Sequence, residues 1–388
     1  MFRKIPFILI AMILAIVLLG QFIPIEIKQL LYTVSLSIKS IIIFTLPMII
    51  FGLLFKTAVN LASSATRVII LILLTVCLSN FISTLFSHGV GTWVYEFNLS
   101  LMLPKETKSL EVLWNFELPK LLTNANAMFG GLILGIVAGI FKRDLALRIG
   151  NKLEYAINKF LGAFIYLIPL FVAGFVVKLE FDGMINTIIK NYALIFVIIG
   201  VAQFTYIGCI YFVANNFRIM SFVQSIKNMF PALIAGFSTM SSAAAMPLTI
   251  LGVEKNSVNK DVGRAVVPAT VNIHLIGDCF AIPIFAYAVL KNYSMPEPMM
   301  MDYLIFAFYF VIAKFSVAAI PGGGIIVMLP ILERYLGFNA EMMSLITALY
   351  ILFDPIITCA NVAGNGGFAM LISKLKIFGA KKVVTPTI

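Results

Sequence analysis

The sequence predicts an all-α membrane protein with about eight transmembrane helices and two re-entrant helical hairpins, arranged as inverted repeats. Three observations carry the prediction. Hydrophobic residues make up 61% of the 388 and charged residues 12%, where a soluble domain carries about 25% charged residues. Two apolar stretches are interrupted in the middle by polar or glycine-rich runs. Lysines and arginines gather in alternate connecting segments, the positive-inside pattern of a polytopic membrane protein.

A bilayer core takes about 20 apolar residues per helix. By that measure the spans are about 5–24, 37–57, 67–90, 123–141, 160–178, 191–213, 264–290 and 341–373. Phe2-Arg3-Lys4 followed by Ile5 to Gly20 resembles a signal peptide, but Gln21-Phe22-Ile23-Pro24 stands where a small-residue cleavage site belongs. The reading is an uncleaved first span. Gly131, Gly135 and Gly139 recur every four residues in the fourth span, a small-residue seam that lets another helix pack closely. Residues 93–122 are polar and mixed in charge, with Trp93 and Trp114 suited to an interfacial belt; an outer loop is expected there.

The two interrupted stretches run from about 220 to 252, broken by Ser238-Thr239-Met240-Ser241-Ser242, and from about 302 to 332, broken by Ile320-Pro321-Gly322-Gly323-Gly324. Their arms are short for a full crossing. Non-helical backbone at membrane depth is tolerated only where protein buries it or it lines a cavity. The expectation is a pair of re-entrant hairpins; the alternative is two ordinary helices kinked at Pro247 and Pro321. Loop charge favours the hairpins. With the N-terminus inside, Lys56, Arg67, Lys142, Arg143, Arg148, Lys152, Lys159, Arg218, Lys227, Lys255, Lys260, Arg264, Lys374, Lys376, Lys381 and Lys382 all fall on the cytoplasmic side, provided each hairpin enters and leaves on one side. Hairpin 220–252 then precedes helix 264–290, and hairpin 302–332 precedes helix 341–373 in the opposite orientation. Broken segments at corresponding positions of two halves point to a transporter binding site.

Composition also narrows the chemistry. The net charge of +11 has no basic run long enough to track phosphates, so no nucleic-acid partner is expected. Cys77, Cys209, Cys279 and Cys359 sit singly in apolar stretches and read as packing residues. With two histidines in the chain, a multi-histidine metal site is nearly excluded.

Ionisable groups inside spans cost about 2.5–3.5 kcal/mol on insertion scales and are functional candidates. The clearest are His274, Asp278 and Asp354, with Lys314 in an arm of the second interrupted stretch. Thr270, His274 and Asp278 lie four apart, so an uninterrupted helix puts them on one face. Asp354, Thr358, Asn361 and Asn365 form a second stripe. Competing readings exist for each. His274 and Asp278 can satisfy one another structurally, and Asp354 can be a helix-end residue reaching headgroups. Lys314 is expected to snorkel to the outer interface. Ser241 and Ser242 suit a helix cap, and half-helix N-termini suit a substrate carboxylate. The unwound Ile320 to Gly324 backbone offers carbonyl oxygens to a cation or an amino group.

At these residues the sequence resembles the dicarboxylate/amino acid:cation symporter family, which includes the glutamate transporters. Phe237 to Pro247 is similar to its serine-rich first hairpin tip. Val267-Pro268 through Asn272, His274, Gly277 and Asp278 is similar to its seventh helix, which normally carries Asn-Met-Asp-Gly-Thr. Ala319-Ile320-Pro321-Gly322-Gly323-Gly324 is similar to the second tip, and Asp354 through Thr358, Asn361, Val362 and Gly364 to the eighth helix. Weaker similarity surrounds Pro47 and Pro169.

The resemblance implies a homotrimer in a bacterial inner membrane, working by an elevator mechanism. It implies scaffold helices in 1–64, a transport-domain helix in 65–92 and an outer loop with further scaffold in 93–180. The transport-domain core would be 181–375 and the cytoplasmic tail 376–388, with both termini cytoplasmic. It implies that Asp354 binds a substrate amino group. Thr358 and Asn361, with the Ser241-Ser242 backbone, would hold its α-carboxylate. The backbone of Ala318, Ala319, Ile320, Gly322 and Gly324 would close the outer gate and contribute to a sodium site, to which Thr75 would add a hydroxyl. Ile357 stands where acidic-substrate members place an arginine, so a bidentate anion partner is lost. Ile276 and Asn365 replace two sodium-site aspartates, and His274 and Asp278 are titratable where the family has neutral groups.

The expectation is a cation-coupled symporter for a neutral or polar amino acid, not an enzyme, with no cofactor beyond sodium or a proton as coupling ion. Its partners would be the small-molecule substrate and membrane lipid. Rivals are an uncoupled, channel-like or degenerate carrier, a dicarboxylate transporter, and a membrane enzyme with Ser241 as nucleophile. His274 and Asp278 are expected to bind a proton, or Asp278 to contact a polar or cationic substrate group.

Overall fold

The computed structural model describes residues 5–63, 67–97, 110–119, 122–183, 185–257, 260–317 and 322–374. Among them every regular element is helical: α1 (Ile5–Leu19), α2 (Ile25–Ser63), α3 (Arg67–Tyr95), α4 (Asn124–Phe141), α5 (Arg143–Phe164), α6 (Ile168–Phe181), α7 (Ile185–Ala214), α8 (Ile219–Thr239), α9 (Ser242–Asn256), α10 (Lys260–Thr270), α11 (Ile276–Asn292), α12 (Met300–Lys314), α13 (Gly323–Leu336) and α14 (Ala340–Ser373). Within α3, α7 and α14, Ile70–Tyr95, Tyr192–Ala214 and Glu341–Ser373 are long and apolar enough to cross a membrane. The apolar window of α14 is 78% buried inside the protein, against 33% and 28% for α3 and α7, which makes α14 the internal axis.

The helices sort by packing into two groups. In the first, α2 is flanked by α4, α5 and α6, and α1 lies on α6. Glycine sets these approaches. A Cβ on Gly131 would stand 2.7 Å from the Phe51 carbonyl oxygen, and one on Gly135 would stand 2.6 Å from that of Phe55. The glycine seam of α4 therefore lies directly on the α2 backbone. Polar ties reinforce the group: Ser35 Oγ donates to the Phe171 carbonyl at 2.6 Å, and Lys28 Nζ pairs with Glu180 at 2.6 Å.

In the second group α11 and α14 pack together, α3 and α7 cover them, α8–α9 and α12–α13 form two helix–turn–helix units, and α10 bridges α9 and α14.

The structure redraws three expected segments. The span 160–178 is divided: α5 ends at Phe164, one 3-10 turn follows, and α6 restarts at Ile168 with Pro169 in its first turn. Proline lacks an N–H and restricts the residue before it, so it starts a helix better than it continues one. The span 264–290 is divided as well, with residues 271–275 outside any helix. The side chain of Asn80 on α3 replaces the lost pairing there, donating to the Ile273 carbonyl at 2.7 Å and accepting from the Leu275 amide at 3.3 Å. A buried backbone break persists only when its polar groups are satisfied in this way. Finally, α3 runs through Trp93 to Tyr95, so only part of 93–122 is loop. Within it, residues 110–119 lie along α2, where the Leu113 and Leu118 amides donate to Thr33 and Ser40 and Trp114 Nε1 donates to Ser37.

Candidate functional site

The first hairpin turns at Met240, which adopts a left-handed backbone (φ 48°) with its side chain buried. That conformation is costly for a residue with a Cβ, so surrounding contacts must hold it. Ser241 then caps α9, its hydroxyl accepting from the Ala244 amide at 3.3 Å. The break thus lies at 240–241, and Pro247 sits inside α9 without ending it. The arms are joined at their open end by amides: Asn228 Nδ2 donates to Asn256 Oδ1 at 2.7 Å, and Asn256 Nδ2 donates to the Ser225 carbonyl at 3.0 Å. Gly236, near the tip, lies against Val362 and the Thr358 carbonyl of α14.

The second hairpin leaves helix at Lys314 and re-enters it at Gly323, through Gly322 at φ 72°. Of the tip residues, Ala318, Ala319, Ile320 and Pro321 lie outside the described residues. Gly322 donates its amide to Asp354 Oδ2 at 2.8 Å, and Thr358 Oγ1 donates to Asp354 Oδ1 at 3.1 Å. Asp354 is buried, 3% exposed, rather than reaching out from a helix end. Only neutral donors hold it, and no cationic side chain pairs with it among the described residues.

Asp278 has the opposite environment. Lys314 Nζ lies 2.9 Å from its Oδ2, with the two side chains 0% and 2% exposed. Tyr350 and Asn361 donate to its Oδ1 at 2.9 and 3.2 Å. Its amide donates to Asn361 Oδ1 at 3.4 Å. Lys314 therefore does not snorkel; it turns inward, with the face of Phe310 4.5 Å from its ammonium. Gly277 and Gly324 permit this convergence. A Cβ on Gly277 would strike the Ile357 carbonyl, and one on Gly324 would fall 2.5 Å from Asp278 Oδ2 and against the Tyr350 hydroxyl.

His274 is separate. The non-helical residues 271–275 carry it off any face shared with Asp278. Its Nε2 stands 2.9 Å from Ser79 Oγ on α3, and its ring lies 4.3 Å from that of Phe368. Its buried Nδ1 has no hydrogen-bond partner among the described residues. Thr270 donates to Asn365 Oδ1 at 2.5 Å, so Asn365 binds α10 rather than Asp278. Thr75 bonds back to the Leu71 carbonyl of its own helix. Ile357 is fully buried and apolar, and Ile276 packs where Gly364 lets it approach.

The structure thus joins Asp278, Asn361, Gly324, Gly322, Asp354 and Thr358 into one polar cluster, and leaves His274 and Asn365 in neighbouring pairs. Tyr350 and Lys314 complete the cluster. Tyr350 had a sequence signal, since it precedes Asp354 by four residues on the same stripe. Ser79 and Asn80 belong to a run of polar residues on α3 (Ser83, Thr84, Ser87, His88) unusual in so apolar a helix.

Comparison with known proteins bears on the family of the chain. Excitatory amino acid transporter 1 of Bos taurus is 27% identical over 255 residues, covering 63% of this chain and 46% of its own length. The same-named protein of Ambystoma tigrinum is 26% identical over 294 residues, with coverages of 72% and 52%. Excitatory amino acid transporter 2 of Homo sapiens is 29% identical over 173 residues, with coverages of 44% and 29%. The chain spans about half the length of the curated relatives it matches, or less. Residues 5–375 match the sodium:dicarboxylate symporter family, and with nearly the whole chain matched, the protein belongs to that family.

Proposed function

We propose that the protein is a secondary active transporter that carries an amino acid, neutral or polar rather than acidic, across a membrane in symport with sodium or a proton. The observation that carries this reading is Asp354. It is a buried carboxylate beside a hairpin tip, held among the described residues by neutral donors. An uncompensated charge in such a place is costly, and the ammonium of an amino acid would supply the missing charge. Asn361 and the backbone of the capped tip at Ser241-Ser242 offer donors for the α-carboxylate, while Thr358, one turn on, orients Asp354 itself. The buried apolar Ile357 leaves nothing to pair with a second carboxylate, which argues against acidic substrates.

In this reading 65–92 and 181–375 move as a transport domain against scaffold helices in 1–64 and 93–180, within a homotrimer of the inner membrane with cytoplasmic termini. The two packing groups and the loop-charge pattern support that division. Coupling falls either to sodium at the second tip, which includes Ala318 and Ala319, or to a proton at His274, since Asp278 is already matched by Lys314. Thermal stabilisation of the purified protein against amino acids and dicarboxylates, with and without sodium at two pH values, tests the assignment. Stabilisation by a neutral amino acid that disappears in Asp354→Asn is the expected result; equal stabilisation of both proteins sinks it. An unchanged pH dependence of uptake in His274→Gln removes the proton from consideration.

The Lys314–Asp278 pair favours a second reading, an uncoupled carrier of the same fold. It predicts exchange across proteoliposomes without accumulation against a gradient.

A further inference from the structure

We propose that the ammonium of Lys314 is a built-in monovalent cation, filling at the Asp278 carboxylate a site that would otherwise take a free alkali ion. The second hairpin then closes on α11 and α14 without one. The inference stands on the geometry of this pair and not on the transport assignment.

Four features make the place a cation site. The Tyr350 hydroxyl and Asn361 Nδ2 both donate to Asp278 Oδ1, and the Asn361 oxygen accepts from the Asp278 amide, which leaves Asp278 Oδ2 to the ammonium 2.9 Å away. Hard cations select such oxygen donors, a carboxylate above all. Lys314 is the last residue of α12, so the negative end of that helix dipole points to the same spot. The face of Phe310 lies 4.5 Å from Nζ, the side of an aromatic ring that attracts cations. Gly324 brings the first turn of α13 so close to Asp278 that no Cβ fits without displacement, which seals the pair from water.

The ammonium is supplied by the hairpin itself. α12 contributes the charge and α13 the wall, while α11 and α14 contribute the oxygens. Wherever the hairpin packs on α11 and α14, its counter-charge therefore arrives with it. A buried pair is costly to break from one side, because the remaining charge has no compensation. Removal of the lysine alone should thus create a demand that a dissolved cation can meet. Removal of both charges should abolish the demand.

The test is thermal unfolding of the purified full chain in sodium, potassium or choline chloride at equal ionic strength, comparing wild type, Lys314→Ala and the double variant Asp278→Asn/Lys314→Ala. The expected result is that Lys314→Ala melts well below wild type in choline chloride and regains stability as sodium or potassium is added, by mass action. The double variant and wild type should share a smaller response or none. Should Lys314→Ala fail to fold in choline chloride, recovery of folded protein in an alkali chloride alone supports the proposal. Equal responses of the single and double variants to alkali chloride overturn it. Failure of Lys314→Ala to fold in any of the three salts also overturns it, because no free cation then takes the ammonium's place.

Discussion

The first hairpin, α8–α9, closes on itself, through the Ser241 cap at its tip and the Asn228–Asn256–Ser225 amides at its open end. The second, α12–α13, closes on its neighbours, through Lys314 to Asp278 on α11 and Gly322 to Asp354 on α14. Burial differs in the same sense. In α8 only Ser225, Met229, Ala232 and Gly236 are buried, a single helical face, while Phe230, Ile234 and Phe237 lie exposed. In α13 every residue from Gly323 to Leu332 is buried. A unit that satisfies itself can travel with its surroundings as a fixed part. Under the proposed transport function, a unit held by charges on other helices would open when a ligand competes for those charges, which makes the second hairpin the better candidate for a gate.

The largest expected effect breaks the second hairpin's grip. Asp354→Asn removes the charge that Gly322 and Thr358 orient; truncating one member of a buried charged contact costs about 2–5 kcal/mol, so amino-acid affinity should fall about 30-fold or more, read by uptake or calorimetry. Undiminished affinity would mean that the tip contact serves structure alone. Next, Gly324→Ala drives a methyl group into Asp278 and Tyr350, and overpacking of this kind costs about 1–3 kcal/mol. The matching change in the first hairpin, Gly236→Ala, meets its nearest atom, Val362 Cγ2, at 3.0 Å, against 2.5 Å or less for the Asp278 Oδ2 and Tyr350 hydroxyl contacts at Gly324. It should lower the melting temperature by less; the reverse order would erase the distinction between the hairpins.

Asn256→Ala deletes two hydrogen bonds at the open end of the first hairpin and should cost about 1–2 kcal/mol, leaving amino-acid affinity unchanged. The smallest effect belongs to Ser241→Ala. Loss of an N-cap is worth about 1 kcal/mol, and the variant should keep transport, which also speaks against a nucleophilic serine. Loss of transport with intact folding would instead place the Ser241 hydroxyl on the substrate.

Periodicity along one chain segment shows its polar faces but not what they meet. Asp354 and Thr358 were legible because α14 is continuous there, and their hydrogen bond follows from a four-residue spacing. His274 and Asp278 have the same spacing, yet the helix is interrupted between them, because Asn80, nearly two hundred residues earlier, satisfies the open backbone at Ile273 and Leu275. Lys314 was misplaced for a related reason. A lysine near a helix end reads as a snorkelling residue when its only known alternative is lipid, and its partner Asp278 lies on a different helix.

By itself the sequence determined what depends on composition and local pattern: the helical, apolar character of the chain, a break within 238–242 and another reaching Gly322, the glycine seam of α4, and the polar stripe of α14. Those features follow from the cost of exposing backbone polar groups to lipid and from which residues a turn or a close approach tolerates. Only the tertiary structure decided which buried charges are compensated. Pairing Asp278 with Lys314 and leaving Asp354 to neutral donors depends on separations of a few ångströms between helices distant in sequence, and in a medium where charge is scarcely screened those separations govern what the site can hold.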